Sequence, residues 1–136
     1  MDVGGIPLMA LLKDRMAWLG RRQEVLSQNV ASADVPGYKP HDLTPIDFEK
    51  TLKAVTHPSA ATLTVTDPRH ISVGPANAGF EEKEGADVEA TPTGNSVSLE
   101  VQMIKVAETQ AQYQAAANLY AKAITMMKTA IGRGGM

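Results

Sequence analysis

Two stretches of the chain carry a hydrophobic repeat long enough to indicate a fold class. Near the start, Met9, Leu12, Met16, Leu19, Gln23, Leu26 and Val30 follow one another at alternating steps of three and four. That spacing is a heptad seam on one side of a helix, interrupted by one polar residue at Gln23. Pro7 stands where a first-turn proline is tolerated, and Pro36 ends the segment because it restricts Val35 and lacks an N–H. The pattern predicts a helix over 7–33, about 40 Å long. Near the end, Leu99, Met103, Val106, Gln110, Tyr113, Ala117, Tyr120, Ile124, Met127 and Ile131 keep the same alternation without a slip. Ser98 caps the start, Glu100 suits the positive end of the dipole, and Gly132, Gly134 and Gly135 stop the helix. This second helix is predicted over 98–131, about 50 Å long. Ala107, Ala111, Ala115, Ala116, Ala121 and Ala123 give it a surface small enough for close helix approach.

The intervening pattern is different. Thr44, Pro45 and Asp47 read as a cap, a first-turn proline and an acidic first turn, and Phe48, Leu52 and Val55 complete one short amphipathic helix over 44–55. From His57 to Asn95 the chain is rich in Pro, Gly, Thr, Ala and Glu. Leu63 with Val65, and Ile71 with Val73, predict two short strands around Asp67 and Pro68. Residues 74–94 hold little that would stabilise an ordered structure. The expected organisation is a terminal helix, turn and short helix in 1–56, an irregular and mobile middle in 57–95, and a long helix in 96–136 that shares one structural domain with 1–56. The fold class is mainly α, two long terminal helices forming a coiled-coil-like hairpin. Such a hairpin is thin and buries little core per residue. Two readings therefore stand side by side: a small monomeric bundle capped by helix 44–55, and an assembly subunit whose seams other chains complete.

Composition sharpens this picture. Apolar residues make up 43% of the 136 but aromatics only 4%, so large core-filling side chains are scarce and a conventional enzyme core is disfavoured. The net charge of −2 argues against non-specific nucleic-acid binding. Acidity concentrates in the middle, where residues 57–95 carry two basic against six acidic groups. With no cysteine, disulfides and thiolate metal sites are excluded. The stretch from Met1 to Asp14 has no basic n-region and only a short apolar run, which reads as neither a cleavable signal peptide nor a membrane span. Export, if it occurs, is expected by another route.

Catalytic chemistry is hard to find. His41, His57 and His70 sit in predicted loops, and none lies three or four residues from a second ligand on a helical face. No Ser, His and Asp set has a nucleophile-elbow context, and Gly4-Gly5 and Gly132 to Gly135 follow no strand that would make a phosphate loop. Glu81, Glu82 and Glu84 read as a solvated charge run, Arg21 and Arg22 as a solvated helix face. The methionines, Met126 and Met127 among them, read as adaptable packing. Neither an enzyme nor a cofactor or metal protein is expected.

What remains is the stretch Ser27 to Lys39. Val35, Pro36, Gly37 and Tyr38 form a type II turn, with proline second and glycine third, where φ is positive. Asn29, Ser32 and Asp34 crowd the last helical turn, where they can satisfy unpaired backbone groups or pair with a neighbouring chain. A simple helix stop accounts for Pro36 and Gly37 but does not call for that polar run.

These residues resemble the signature near the N-terminus of bacterial flagellar rod, hook and hook-associated proteins, roughly N-[IV]-A-N-[AS]-[DN]-T-P-G-Y-K. Ser32 stands for the usual Asn and Val35 for the usual Thr. Gly94 to Glu100, with Met103, Lys105, Ala107, Glu108, Tyr113 and Gln114, is similar to the proximal members of the flagellar basal-body rod family, as is the run from Thr66 to Ile71. The resemblance implies a structural subunit of the proximal rod, exported through the flagellar type III apparatus without a cleaved signal and packed through its terminal helices into a periplasmic tube. Implied partners are copies of itself, other rod proteins, the rod-base adaptor, the membrane-ring protein and the export apparatus. The residues expected to serve assembly are Asn29, Ser32, Asp34, Pro36, Gly37, Tyr38, Leu99, Glu100, Met103, Tyr113 and Tyr120. The alternative from another class is a cytoplasmic helical adaptor that pairs with a partner helix.

Overall fold

A computed structural model describes residues 7–47, 49, 80–85, 87 and 90–132. Four elements follow in order: α1 (Pro7–Ala31), β1 (His41–Leu43), β2 (Glu82–Glu84) and α2 (Leu99–Gly132). With 25 and 34 residues, the helices are about 37 Å and 51 Å long. They run antiparallel, since Asn29 near the end of α1 meets Gln102 near the start of α2, while Arg15 bonds Gln112 further along. The chain is mainly α, as its heptad patterns predict.

Local sequence explains the ends. α1 stops at Ala31, two residues before the predicted boundary. Ser32 N is shared between Gln28 O at 3.0 Å and Asn29 O at 3.2 Å, and Ala33 N reaches Val30 O at 3.3 Å, so the helix tightens into i→i−3 bonds before Pro36. At the other end, Ser98 Oγ accepts from Val101 N at 3.4 Å and Ser98 O accepts from Gln102 N at 3.0 Å, the usual pattern of a serine cap.

The seam expected on α1 faces inward. Met9, Leu12, Leu19 and Leu26 are buried and Met16, Gln23 and Val30 half-buried, with Trp18, Val25 and Asn29 widening the buried face. On α2 the expected seam is corrected in part: Val106, Ala117, Tyr120, Ile124 and Met127 are half-buried, but the most buried face is shifted. The buried residues are Gln102, Thr109, Ala116 and Ala123, one position before Met103, Gln110, Ala117 and Ile124. Leu99, Met103 and Tyr113 instead face solvent, at 53%, 54% and 43% exposure. The reason is steric and polar together. Small side chains let α2 approach the leucines of α1, Thr109 Oγ1 is satisfied by Lys105 O at 2.7 Å, and Gln102 has a hydrogen-bonding role inside.

The two strands form an antiparallel pair with His41 opposite Glu84, Asp42 opposite Lys83 and Leu43 opposite Glu82. Glu81, Glu82 and Glu84 are exposed, as their reading as a solvated charge run expects, but 82–84 is a strand and not a loop, with Glu82 and Glu84 in ion pairs. An exposed strand of Glu, Lys and Glu has no apolar alternation to announce it. The helix expected over 44–55 lies outside the described residues, apart from 44–47, which are irregular, and Glu49. The strands expected at 63–73, and His57 and His70, also lie outside them. Trp18, Leu19, Val25, Leu43 and Ala116 make the core cluster, with Met16, Ile46 and Phe80 packed against it.

The register of burial on α2 yields a direct test. Leu26→Ala removes a fully buried side chain and is expected to lower unfolding free energy by about 2–5 kcal/mol in urea melts. Met103→Ser is expected to change it by about 0.5 kcal/mol or less, being exposed. A large loss from Met103→Ser would restore the seam read from periodicity.

Candidate functional site

The site grows from Asn29, fully buried in the last turn of α1. Its carboxamide makes four hydrogen bonds. Nδ2 donates to His41 O at 2.6 Å and to Gln102 Oε1 at 3.0 Å, while Oδ1 accepts from His41 N and from Tyr38 Oη, both at 3.0 Å. Two donors and two lone pairs are all that a carboxamide has, so the group is saturated. Toward His41 the amide behaves as a neighbouring strand would, giving and taking one bond with the same residue at the edge of β1 opposite β2. An aspartate of equal size lacks the donors, and an alanine leaves His41 O, His41 N and the Tyr38 hydroxyl without this partner.

The turn after α1 is held from outside by the segment leading into α2. Tyr38 N donates to Val35 O at 3.3 Å across a turn in which Gly37 has φ +75°. Asn95 Nδ2 donates to Ser32 O at 3.2 Å and Val35 O at 2.7 Å. Gly37 N bonds Thr93 O at 3.0 Å, and Ser96 N bonds Tyr38 O at 3.2 Å. The two turns touch through backbone. Gly94 has φ +81°, and a Cβ there would lie 3.3 Å from Gly37 Cα, so neither conformation nor space admits a side chain easily.

A charged layer surrounds this hub. Gln102 passes the hydrogen-bond chain on, Nε2 donating to Asp87 Oδ2 at 2.6 Å. Asp87 also accepts from Ser98 N at 3.3 Å and pairs with Lys105 at 3.1 Å. Lys105 lies 3.9 Å from Asp42, which Arg22 grips with Nε and Nη2 at 2.8 and 2.9 Å. Burial pushes the Asp42 carboxyl up, but the Arg22 hydrogen bond and charge, with Leu43 N–H and Lys105, outweigh it, so Asp42 lies below the ordinary carboxylate value. Arg22 is raised in turn, first through its bond to Asp42. Arg22 and Arg15 also cover Trp18, with guanidinium carbons 5.4 and 4.9 Å from the ring centroid, while Trp18 Nε1 donates to Thr44 O at 3.0 Å. Arg21 and Arg22, read as a solvated face, are thus ion-paired to β2 and β1 respectively.

The arrangement is chemically suited to holding shape. A cleft of about 300 Å³ beside β1 is lined by Pro40, Leu43, Lys83, Asp87 and Lys105 among others, with charges of both signs. Among the described residues no three His, Cys, Asp or Glu side chains group as metal ligands. Of the residues singled out from sequence, the structure brings together Asn29, Ser32, Gly37 and Tyr38; Asp34 and Pro36 are exposed on the same turn. Leu99, Glu100, Met103 and Tyr113 are exposed along α2, and Tyr120 is half-buried. Sequence reading missed Gln102, Asn95 and Asp87. Gln102 sat one position off an apolar repeat, and Asp87 lay in a segment without periodicity.

Two measurements probe the site. Asn29→Asp keeps the shape but turns a donor toward His41 O and Gln102 Oε1 into an acceptor; a loss of about 3–5 kcal/mol is expected in urea melts, more than for exposed Asp34→Asn. The Asp42–Arg22 pair has a pH signature. Because the folded pKa of Asp42 is depressed, its contribution is present above the ordinary value of 3.8 and is lost as pH falls through the lower folded value. Allowing for solvent screening, wild type is expected to exceed Asp42→Asn by about 0.5–1 kcal/mol near neutral pH, the gap closing in acid below about pH 4.

No family model matches the chain. Comparison with curated proteins does find relatives along most of its length. The flagellar basal body rod protein FlgB of Agrobacterium fabrum is 28% identical over 131 residues, spanning 94% of this chain and 95% of its own. FlgB of Escherichia coli K12 is 33% identical over 102 residues, 69% of this chain and 70% of its own. FlgB of Cereibacter sphaeroides is 32% identical over 110 residues, 81% and 82% of the two chains. These matches cover between two thirds and nearly all of the chain, and the chain belongs to the FlgB family of flagellar basal body rod proteins.

Proposed function

We propose that this chain builds the proximal part of the flagellar rod, reaching the periplasm through the flagellar type III apparatus and assembling through its terminal helices. Its neighbours in that reading are copies of itself, other rod proteins, the rod-base adaptor and the membrane-ring protein. Membership of a rod protein family makes it a structural component of the basal body and not an enzyme.

The observation that carries the finer reading is the outer surface of α2. Ile104, Leu119, Met126 and Ile131 are 56%, 48%, 55% and 67% exposed, in addition to Leu99 and Met103. At about 100° per residue these side chains do not share one stripe. Ile104, Leu119 and Met126 lie on the side away from Leu99 and Met103. A helix that is apolar on several sides is one that several neighbours cover. Asn29 and Tyr38 serve this assembly indirectly by shaping the turn, and Asp34, Pro36 and Gly37 present the exposed rim of that turn to the adjoining subunit. A thin hairpin of this kind is also readily kept unfolded for a narrow channel and then stabilised by mass action once assembled.

The reading is tested in a strain lacking its own copy of the gene. Wild-type protein is expected in isolated basal bodies only when the flagellar export system is active. Leu119→Glu with Met126→Glu is expected to be exported with unchanged helical circular dichroism, yet to reduce assembled rods and motility at least about tenfold. Retention of wild-type protein in the cytoplasm of a motile, export-competent strain would support a helical adaptor instead. Normal rods with both glutamates in place would remove the outer face of α2 from assembly.

A further inference from the structure

The two facing helix surfaces share one period. α1 buries Leu12, Leu19 and Leu26, and α2 buries Gln102, Thr109, Ala116 and Ala123, each seven residues after the last. The α2 series continues to Ala130, exposed near the end of the helix. Moving α2 by one heptad toward the turn, about 10 Å with about 20° of rotation, would place Thr109 where Gln102 now lies. Ala116, Ala123 and Ala130 would each take the place of the residue seven before it. Leucines would again meet small side chains. The apolar seam alone barely distinguishes the two registers.

What does distinguish them is concentrated at one end. Asn29 reaches Gln102, and Asn95, in a segment whose main chain also bonds Gly37 N and Tyr38 O, reaches Ser32 O and Val35 O. Neither set survives the slide, because Thr109 offers a shorter side chain already bonded to Lys105 O, and Asn95 would be carried past the turn. Arg15 to Gln112 is an exposed pair of long side chains and discriminates weakly. We infer that the helix register is set at the turn by the Asn29–Gln102 bond and the bonds of Asn95 and its main-chain neighbours, and that without the Gln102 and Asn95 side-chain bonds the hairpin populates a second register one heptad away. The polar pair thus acts as a register device in an otherwise repetitive seam. The inference concerns the folded chain itself and is independent of where the protein assembles.

The chain has no cysteine, so engineered pairs report register without background. Arg15→Cys with Gln112→Cys reports the native register, and Arg15→Cys with Leu119→Cys the slid one, using a short bismaleimide on the full-length chain. With Gln102 and Asn95 intact, cross-linking at 15 and 112 is expected to predominate. Adding Gln102→Leu and Asn95→Ala is expected to raise the 15-to-119 product about tenfold while helical circular dichroism is kept, the scale of losing buried hydrogen bonds. Leu19→Ala serves as the control, lowering stability without producing the slid product. The inference is overturned if the double variant stays folded with only the 15-to-112 product, or if Leu19→Ala slides equally. It is overturned as well if the double variant and Gln102→Leu alone both lose their helical signal, because the seam would then hold no second register.

Discussion

The carboxamide of Asn29 ties together parts of the chain that local propensity leaves independent. Through four hydrogen bonds it joins α1 to the edge of β1, to the tyrosine that follows the turn and to the first turns of α2. Buried amides are stabilising only when every donor and acceptor is met, and here all are. Each partner's position is therefore conditional on the others. His41 lies beside Asn29 because the Pro36–Gly37 turn returns the chain there, and Gln102 turns inward because a donor is waiting. That inward turn rotates α2, moving Leu99, Met103 and Tyr113 to the outside.

This single constraint links the interior to the exterior of the subunit. A hairpin packed on the apolar repeat of both helices would have consumed the large side chains of α2 internally. Packing on Gln102, Thr109, Ala116 and Ala123 instead consumes the small and polar ones. Large apolar groups of α2, Ile104, Leu119 and Met126 among them, stay exposed, as the proposed assembly through neighbouring chains requires. The charged layer of Arg22, Asp42, Lys105 and Asp87 closes the open side of the hub. It brings β1, the start of α2 and the segment before it to one place. Trp18, covered by Arg15 and Arg22, carries that layer down to the core.

Some of this was legible in the sequence. Heptad spacing on α1 reports its buried face because leucine and methionine there have no competing polar partner. The Pro-Gly pair reports the turn because φ at Gly37 is positive whatever surrounds it. The motif from Asn29 to Tyr38 reports the family. The seam of α2 is only partly right, with Val106, Ala117, Tyr120, Ile124 and Met127 half-buried, because periodicity registers where apolar residues are, not which face a distant amide selects. β1 and β2 escaped notice because their pairing joins residues forty positions apart through main-chain bonds, with charged side chains on the surface.

The sequence by itself determined two long helices, the turn after the first and the absence of thiol chemistry, since each follows from spacing, from proline and glycine geometry or from composition. Only the tertiary structure decided which side of α2 is inside and that Asn95, Asp87 and Gly94 hold the turn. It also decided that Asn29 acts within its own chain. Those outcomes rest on long-range hydrogen bonds and on a backbone contact at Gly94 and Gly37, and their energies depend on distances that no local pattern encodes.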